Sequence, residues 1–511
     1  MTHAVGLPGG WVQASLAELV EHQAGNSKLI KGRLAQVPAL GLLPGFSASG
    51  LNVWLETWDH EGDAVVVSAV GARCGKAFYA TGRWSAIANT HVVKPSGAVD
   101  ARLLWYRLND EGFWIRSGTA QPFVLVKKTL ETSFNLPPLA EQHRIVEAIE
   151  SYLTRLDNAV ALLERVEWNL KRYRAAVLNA AVEGRLVSTE AELARREGRS
   201  YEPASELLKR ILGQRKARWI EDAAERTRAK AEEKARKARQ PWTAADDAVT
   251  LEKERAKAAK QYKEPAALDT TDLPALPEGW SYMSVGQFCA GGANSIKRGP
   301  FGSALRKEFF VPLGFKVYEQ QHAIRNDFSI GSYYVDQEKF EELRAFEVCP
   351  GDLIVSCSGT IGRVAVMPEW AERGIINQAL LKLTLDRRVM SSAFFIISFQ
   401  ALAAQLVADT SRGTGMQNLS GVKELKQIGF PVPPPNEQER IVAAVERQDS
   451  AIRVVHLAVG QALRRAQRLR QAILKWAFEG RLVEQNPNDE PASVLLERIK
   501  AQRAQVERRV R

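Results

Sequence analysis

The stretch LPPLAEQHRIV, at residues 136–146, decides how this chain is organised, because it returns almost unchanged as VPPPNEQERIV at residues 432–442. The two copies are 296 residues apart. The string EGRLV, at 183–187 and again at 479–483, keeps the same separation. Separate strings that keep one register indicate an internal duplication rather than chance similarity.

Two further strings repeat outside these segments. LPGGW at 7–11 returns as LPEGW at 276–280, and PAS at 203–205 returns at 491–493, where the separation shortens to 288 residues. The chain therefore consists of two cycles of one plan: an LPxGW opening, a globular stretch and a PP–EQ–RIV segment. A duplication of this kind predicts a pseudo-twofold protein.

The segments between EQ and EGRLV keep their length although their sequences differ. Alternating steps of three and four residues over 142–180 and over 438–476 land almost entirely on apolar residues. A hydrophobic period of 3.5 residues sustained over this length predicts a left-handed coiled coil. The prolines before each segment suit a helix start, and Gly184 and Gly480 suit a left-handed residue at the helix end.

Two helices with equal seams in one chain pair most simply with each other, and a twofold-related pair runs antiparallel. A helix of 39 residues, from 142 to 180, is about 58 Å long, which corresponds to about 17 base pairs of DNA. A rod that only packs or dimerises is the alternative at this stage. The predicted fold class is α+β, with two mixed α/β domains joined by two long helices in an antiparallel coiled coil.

Composition limits the class of protein. Of 511 residues, 45% are hydrophobic, and the net charge is +11, from 70 basic and 59 acidic residues. The apolar content indicates a globular protein, and the positive charge favours a polyanion such as nucleic acid, with a basic protein lacking such a partner as the alternative. We found no membrane-length apolar run or secretory pattern, and the four cysteines are scattered, so we expect a cytoplasmic location.

The two globular stretches share a framework but differ in detail. GDLIVSCSGTIGRVAV at 351–366 predicts strands separated by glycine turns, and GDAVVVSAVGARCGKAF at 62–78 is a looser version. Asn377 has a counterpart in Asn89. Two related but diverged domains on a symmetric rod indicate two different targets at a set distance.

The motifs of several enzyme classes are absent from the sequence. No string has the NPPY-like order that an adenine methyltransferase uses to hold a flipped base. GARCGKA at 71–77 is too short for a phosphate loop, and EEK at 232–234 lies in a charged helical run without the preceding acid of a nuclease site. The histidines show no metal spacing. We therefore expect no catalytic residue, metal or cofactor, and a fused methyltransferase is disfavoured.

The motifs that the sequence does contain resemble those of the specificity (S) subunits of type I DNA restriction-modification systems. The resemblance covers almost the whole chain. The resemblance rests on the repeated strings, on GPFGSAL at 299–305, on GDLIVSCSGTIG, and on GTGMQNLSG at 413–421. It implies two target-recognition domains that each read half of a split double-stranded DNA sequence. It also implies an antiparallel coiled coil that sets the spacing and docks two methyltransferase (modification) subunits, with restriction (endonuclease/translocase) subunits added in the full complex.

The heptad segments together with the resemblance give the expected domain boundaries. They are a first target-recognition domain at 1–138, a central conserved helical region at 139–265 with its coiled-coil helix at 139–183, a second target-recognition domain at 266–434, and a C-terminal conserved helical region at 435–511 with its coiled-coil helix at 435–479. Within the central region, residues 214–264 carry 15 basic and 10 acidic residues and are expected to form an exposed helical connector, with DNA-backbone contact as the lesser alternative.

Two sets of binding residues follow. Basic, amide and hydroxyl side chains in loops of the recognition domains suit base edges and phosphates. The predicted DNA-binding residues are Lys297, Arg298, Ser303, Gln320, Ser358, Thr360, Arg363, Asn377, Gln417, Arg73, Lys76 and Asn89. For Asn377 and Thr360, hydrogen bonding within a turn or strand is the alternative. The predicted partner-binding residues are Glu141, Gln142, Arg144, Glu437, Gln438 and Arg440; whether the Glu-Gln pairs only start the helices stays open.

A second function class is consistent with the same pattern. A coiled-coil scaffold with protein-binding globular ends would show the same repeats. The first recognition domain departs most from the family, because GLLPGFSASGLNVW and GARCGK match GPFGSAL and SGTIGR poorly.

Overall fold

The structure is a computed structural model that describes residues 6–238, 241, 243–292, 294–357, 363–410, 425 and 428–510. It contains two compact units. The first unit comprises Met1–Val166 together with Ala458–Arg511, and the second comprises Glu167–Leu457. The first unit is thus built from both ends of the chain, whereas the second is continuous.

The first unit is a mixed helix and sheet structure. Its strands are β1 (Val12–Ser15), β2 (Val20–Ala24), β3 (Leu43–Ser47), β4 (Gly50–Leu55), β5 (His60–Glu61), β6 (Ala64–Ser68), β7 (Ala77–Ala80), β8 (Arg83–Ala86), β9 (Thr90–Pro95), β10 (Arg116–Ser117), β11 (Phe123–Val124) and β12 (Ser133–Leu136). They form two four-stranded sheets, ordered β2-β9-β6-β7 and β4-β3-β8-β5, and two pairs, β1-β12 and β10-β11. The strand β3 runs parallel to β8.

Helices pack against the sheet β2-β9-β6-β7, and two of them are parts of the long helices. Those of the first unit are α1 (Leu16–Leu19), α2 (Ala101–Leu108), α3 (Val126–Leu130), the first part of α4 (Leu139–Val182), the last part of α12 (Pro435–Phe478), and α13 (Ala492–Val510). One core cluster joins β-sheet residues such as Val65 and Val93 to Ile145 of α4, Ile473 of α12 and Leu496 of α13. The two chain ends are therefore parts of one hydrophobic core.

The second unit repeats this plan. Its strands are β13 (Ser281–Met283), β14 (Ile296–Arg298), β15 (Phe315–Tyr318), β16 (Tyr334–Val335), β17 (Glu347–Val348), β18 (Leu353–Ser356), β19 (Val364–Val366), β20 (Gly374–Ile376), β21 (Leu380–Leu383) and β22 (Phe430–Val432). Besides its parts of the long helices α4 and α12, its helices are α5 (Glu190–Glu197), α6 (Ala204–Lys237), α7 (Ala244–Gln261), α8 (Val285–Phe288), α9 (Gln320–Arg325), α10 (Gln337–Glu342) and α11 (Ser392–Thr410).

The sheets of the two units have the same topology. In the second unit they are ordered β14-β21-β18-β19 and β16-β15-β20-β17, with β13 paired to β22. Adding twelve to each strand number of the first unit's four-stranded sheets gives these orders, and the parallel pair β3-β8 recurs as β15-β20. The predicted internal repeat is therefore confirmed, and it extends to globular parts whose sequences differ widely.

The two long helices run antiparallel within each unit. In the second unit, Arg174 of α4 pairs with Asp449 of α12 at 2.9 Å, and Glu167 lies 3.9 Å from His456. Positions further along α4 thus meet positions earlier along α12. In the first unit, Arg470 of α12 pairs with Asp157 of α4. The predicted pair of long antiparallel helices is confirmed.

The predicted heptad seam is less buried than a continuous hydrophobic seam would be. Tyr152 is 45% exposed, Tyr173 is 49% exposed and Trp476 is 41% exposed. Two helices contact each other along one narrow stripe, so solvent reaches large side chains from both sides. The seam is well buried where it meets a globular part, as at Ile145, Ile149 and Ile473.

Two helices of the second unit lie within or across the predicted connector, residues 214–264. The helices α6 and α7 pack against each other, and Arg255 of α7 forms hydrogen bonds to Glu221 of α6 at 2.5 and 2.8 Å. Trp219 also contacts Tyr262, with ring centroids 5.4 Å apart. Among the described residues, no helix is long and apolar enough to cross a bilayer.

Candidate nucleic-acid interface

The repeated strings of the sequence meet at one junction in each unit. In the first unit, the indole Nε1 of Trp11, from LPGGW, donates to the buried carboxylate of Glu141 at 3.0 Å. A Cβ atom on Gly480, from the second EGRLV, would lie 3.1 Å from the Trp11 ring. The backbone N–H of Ala492, from the second PAS, donates to the carbonyl of Gly10 at 2.9 Å.

The second unit builds the same junction with the roles of the cycles exchanged. Trp280 Nε1, from LPEGW, donates to Glu437 at 2.8 Å. A Cβ on Gly184, from the first EGRLV, would lie 3.2 Å from the Trp280 ring, and Ala204 N–H donates to the Gly279 carbonyl at 2.8 Å. Each junction therefore combines LPxGW and EQ from one cycle with EGRLV and PAS from the other.

The glutamine that follows each of these glutamates is buried and holds three backbone groups. Gln142 accepts from the N–H of Asp100 at 2.7 Å and donates to the carbonyls of Ala98 and Pro137, both at 2.9 Å. Its side chain is completely buried. The side chain thus ties the start of α4 to the loop that precedes α2.

Gln438 does the same in the second unit. It accepts from the N–H of Ser391 at 2.9 Å and donates to the carbonyls of Val389 and Pro433 at 2.7 and 3.0 Å. The start of α12 is therefore tied to the loop that precedes α11. The two cycles repeat this arrangement bond for bond.

These contacts correct the expected role of Glu141, Gln142, Glu437 and Gln438 as partner-binding residues. All four side chains are at most 1% exposed, and a buried side chain cannot reach a partner's surface while the fold is intact. Burial raises the pKa of Glu141 and of Glu437, and the indole donors oppose that rise. The four residues are internal anchors of the junctions.

The arginines of the same motif also have internal partners. Arg144 pairs with Asp489 at 2.6 Å, and Arg440 pairs with the buried Glu190 at 2.7 Å. About a third of each arginine side chain is exposed. Their predicted partner contacts stay a prediction, restricted to that exposed part.

In the second unit, two predicted DNA-binding residues lie on the edge strand β14. Lys297 places its Nζ 5.1 Å from the centre of the Phe346 ring. Arg298 donates through Nε to the carbonyl of Gln378 at 3.1 Å, beside the turn that contains Asn377. Ser303 is exposed in the short 3-10 helix Gly302–Ala304.

Three more predicted residues lie at neighbouring strand ends. Gln320, which begins α9, donates to the Oγ of Ser356 at 2.7 Å. The N–H of Ser356 donates to the carbonyl of Arg363, an exposed residue just before β19. Asn377 accepts from the N–H of Ala379 at 3.0 Å, so the expected turn-forming role is present. Lys297, on β14, pairs with Lys382 of the neighbouring strand β21. The predicted residues Ser358, Thr360 and Gln417 lie outside the described residues.

The first unit has an equivalent strand-end region. The loop 69–76 joins β6 to β7, whose counterparts are β18 and β19, and it contains the exposed Arg73 and the half-buried Lys76. The nearby turn between β8 and β9 contains Asn89, whose carbonyl accepts from the N–H of Ala69 at 2.9 Å. Asn89 has a φ of +65°, a left-handed conformation that asparagine tolerates. The structure therefore brings these three residues together.

A histidine pair in the first unit was not predicted. His22 Nε2 lies 3.0 Å from His91 Nδ1, and burial together with the neighbouring His22 lowers the pKa of His91 to about 4. Burial and the charge of Lys127 also lower the pKa of His22. The two histidines are 69 residues apart and meet only through the pairing of β2 with β9, so no local pattern indicates their contact. The described residues contain no cluster of three or more potential metal ligands.

Comparisons with known proteins agree with this architecture. A family model described as type I restriction modification DNA specificity domain matches residues 8–168 and 277–458. The chain is 23% identical over 520 aligned positions to the type I restriction enzyme EcoDI specificity subunit of Escherichia coli, covering 98% of this chain and 96% of that protein. It is 25% identical over 397 positions to the EcoBI specificity subunit of Escherichia coli, covering 74% and 66%.

Two solved structures resemble the fold. A chain from work on complex assembly and conformational transition of the type I R-M system has a TM-score of 0.57 and 16% identity, covering 93% of this chain and 100% of that one. The HsdS subunit from Thermoanaerobacter tengcongensis has a TM-score of 0.50 and 16% identity, covering 94% and 99%. At this level of identity the likeness concerns the fold alone.

Proposed function

Because this chain belongs to the type I restriction-modification DNA specificity family, we propose that it is the DNA-sequence-specificity subunit of such a system and recognises a split double-stranded target. The observation that carries this proposal is that the family match covers both globular parts, which have the same strand order. A single target would need only one of them.

Each globular part would read one half of the target. The side chains at equivalent strand-end positions differ in chemistry, with Gln23 and Ala24 on β2 where β14 has Lys297 and Arg298. Amide and guanidinium groups address different base edges in the major groove, so the two parts would prefer different half-sites. The predicted DNA-binding residues stay part of this proposal.

The helices α4 and α12 would set the distance between the half-sites and bind two methyltransferase subunits, to which restriction subunits would add. The exposed apolar side chains of these helices, such as Trp168 at 57% and Leu457 at 58%, support a role in binding other proteins. We propose that the chain is itself non-catalytic and acts in the cytoplasm, where its DNA lies.

The spacing role is tested by inserting one heptad into each helix, after Val166 in α4 and after Leu457 in α12. Seven residues lengthen a helix by about 10 Å, which corresponds to about 3 base pairs. When the variant is co-expressed with the methyltransferase subunit, sequencing of methylated adenines should show a spacer longer by about 3 base pairs.

The control replaces one heptad in each helix by another of equal length and should leave the spacer unchanged. A methylated motif with the original spacer in the insertion variant would contradict the spacing role. A wild-type chain that neither binds DNA in a gel shift nor directs methylation, with or without the methyltransferase subunit, would favour a protein-binding scaffold instead.

A further inference from the structure

The hairpin formed by β10 and β11 lies against the strand-end loop that holds Arg73 and Lys76. Val70 of that loop pairs with Phe123 of β11, and the N–H of Gly71 donates to the carbonyl of Pro122 at 2.8 Å. The N–H of Val124 donates to the carbonyl of Ala69 at 3.0 Å. The hairpin is thus a direct extension of the predicted DNA-binding edge.

The base of the hairpin is held in place by the core. Thr129 Oγ1 accepts from the N–H of Ile115 at 3.1 Å and donates to the carbonyl of Leu125 at 3.0 Å. The buried Trp114 packs under Gly75 of the neighbouring loop, where a Cβ would lie 2.9 Å from the indole. Loop and hairpin are therefore held as one unit, which lowers the entropy lost on binding.

The tip of the hairpin presents polar side chains to solvent. Residues 116–121 are all exposed, and they include the hydroxyls of Ser117 and Thr119 and the amide of Gln121. Gly118 has a φ of +87°, and a Cβ there would lie 2.7 Å from the Gln121 carbonyl, so the tip turns tightly. Gln121 lies at this turn with its side chain exposed to solvent.

The loop and the hairpin carry basic side chains between flanking acidic residues. The loop 69–76 contains Arg73 and Lys76 and the hairpin segment 112–124 contains Arg116, and neither contains an aspartate or glutamate, although Asp110 and Glu111 precede the hairpin. An edge of this composition attracts phosphates and repels acidic protein surfaces. Nucleic acid is therefore the partner whose chemistry fits the hairpin.

The sequence register gives an independent indication. Gln121 precedes Gln417 by 296 residues, the separation that relates the two EQ motifs, and Val126-Lys127 precedes Val422-Lys423 by the same separation. Just before these residues the second copy has one residue more than the first, because Gly118-Thr119 precedes Gly413-Thr414 by 295 residues. The hairpin tip is thus the counterpart of a segment that already contains a predicted DNA-binding glutamine.

We propose that Gln121 is a base-reading residue of the first half-site, carried into the major groove by the hairpin β10–β11. This inference rests on the proposed function and adds an element that the other predicted residues of the first unit do not include. A glutamine amide donates and accepts at once, which suits the N6 and N7 positions of adenine.

The test substitutes Gln121→Ala in the full chain, co-expressed with the methyltransferase subunit, followed by sequencing of methylated adenines. We expect discrimination at one base position of one half-site to fall roughly tenfold to hundredfold, because one bidentate base contact is lost. The other half-site and the spacer should not change. Gln417→Ala should relax the opposite half-site.

The control is Gln502→Ala, the same chemical change at an exposed residue of helix α13, outside the strand-end loops. It should leave the motif unchanged, and the melting temperature of all variants should match that of the wild type. A wild-type motif with no relaxation in Gln121→Ala would overturn the inference. A wild type that directs no methylation would overturn the proposed function itself, so the two failures are distinguishable.

Discussion

The two units have one strand order but different chemistry where their strands end. In the first unit, His91 pairs with Ala24 and Val67; in the second, the same place in the sheet holds Leu381, paired with Arg298 and Val355. Both units have a valine at the buried position, Val67 or Val355. At the edge strand, the neutral Ala24 of the first unit is replaced by the cationic Arg298 of the second. The difference indicates that core packing determines the strand order of the sheets. The residues at the strand ends are free to differ and can therefore suit different half-sites.

The junctions are more alike than the edges, with one asymmetry. Both carboxylate oxygens of Glu437 accept hydrogen bonds, from the Trp280 indole and from the N–H of Glu190 at 2.7 Å. Glu141 accepts from Trp11 through Oε2, and among the described residues its Oε1 has no hydrogen-bond donor. The two glutamates thus accept from equivalent indoles, but only Glu437 has a hydrogen bond on both carboxylate oxygens.

The largest effect should come from removing the indoles. Trp11→Ala and Trp280→Ala should each lower the opening free energy of their own unit by about 3–5 kcal/mol, because a large side chain leaves a cavity in the junction. Native-state hydrogen exchange, followed separately for peptides of each unit, measures this. Trp→Phe at either site keeps most of the packing and should cost less. Destabilisation by only one of the two alanine variants would show that the junctions are not equivalent.

A smaller effect should expose the asymmetry. Glu437→Gln places an NH₂ group against an existing donor and should cost about 1–3 kcal/mol. Glu141→Gln keeps the acceptor for Trp11 and puts its NH₂ where no donor lies, so the change in unfolding free energy should be near zero. Urea denaturation of the full chain compares the two, with Glu439→Gln, an exposed glutamate on α12, as the matched control. Equal losses would contradict the asymmetry.

The smallest effect concerns pH. The pKa of His91 in the folded chain is about 4, below its ordinary value of 6.5. Between pH 4 and pH 6.5, His91 is therefore protonated in the unfolded chain but neutral in the folded chain. The first unit should therefore lose stability as pH falls from 6.5 towards 4, by about 1–2 kcal/mol after allowing for solvent screening. Hydrogen exchange across this range should show the loss in the first unit. His91→Leu, which introduces the residue of the second unit, should reduce this loss and leave the smaller part that comes from His22, whose pKa is also lowered by burial.

The long helices could be predicted because their information is local. A heptad pattern, prolines before it and glycine after it predict helices at 139–183 and 435–479, and the structure has them at Leu139–Val182 and Pro435–Phe478. The strand pattern of the second domain was equally local. No comparable pattern indicated the sheet orders, which depend on pairing between distant strands.

The roles of the repeated strings could not be predicted, because each junction joins residues from both cycles. Gly480 packs on Trp11, and Gly184 packs on Trp280. Glutamate and glutamine are usually exposed, so a surface role was the natural expectation. Only the tertiary structure shows that their burial is satisfied by an indole and by backbone groups.

The discontinuous first unit has a consequence for the order of events during synthesis. Its core needs Ile473 and Leu496, which the ribosome adds more than 300 residues after the first domain, whereas the second unit is complete at residue 457. At about 5–20 residues per second, residues 167–511 take about 20–70 s to make. During that time the first domain has the start of α4 as a partner but lacks the last part of α12 and α13, so the face of Trp11 on which Gly480 packs stays uncovered. Of the two units, the one whose synthesis begins first is therefore the one that finishes folding second.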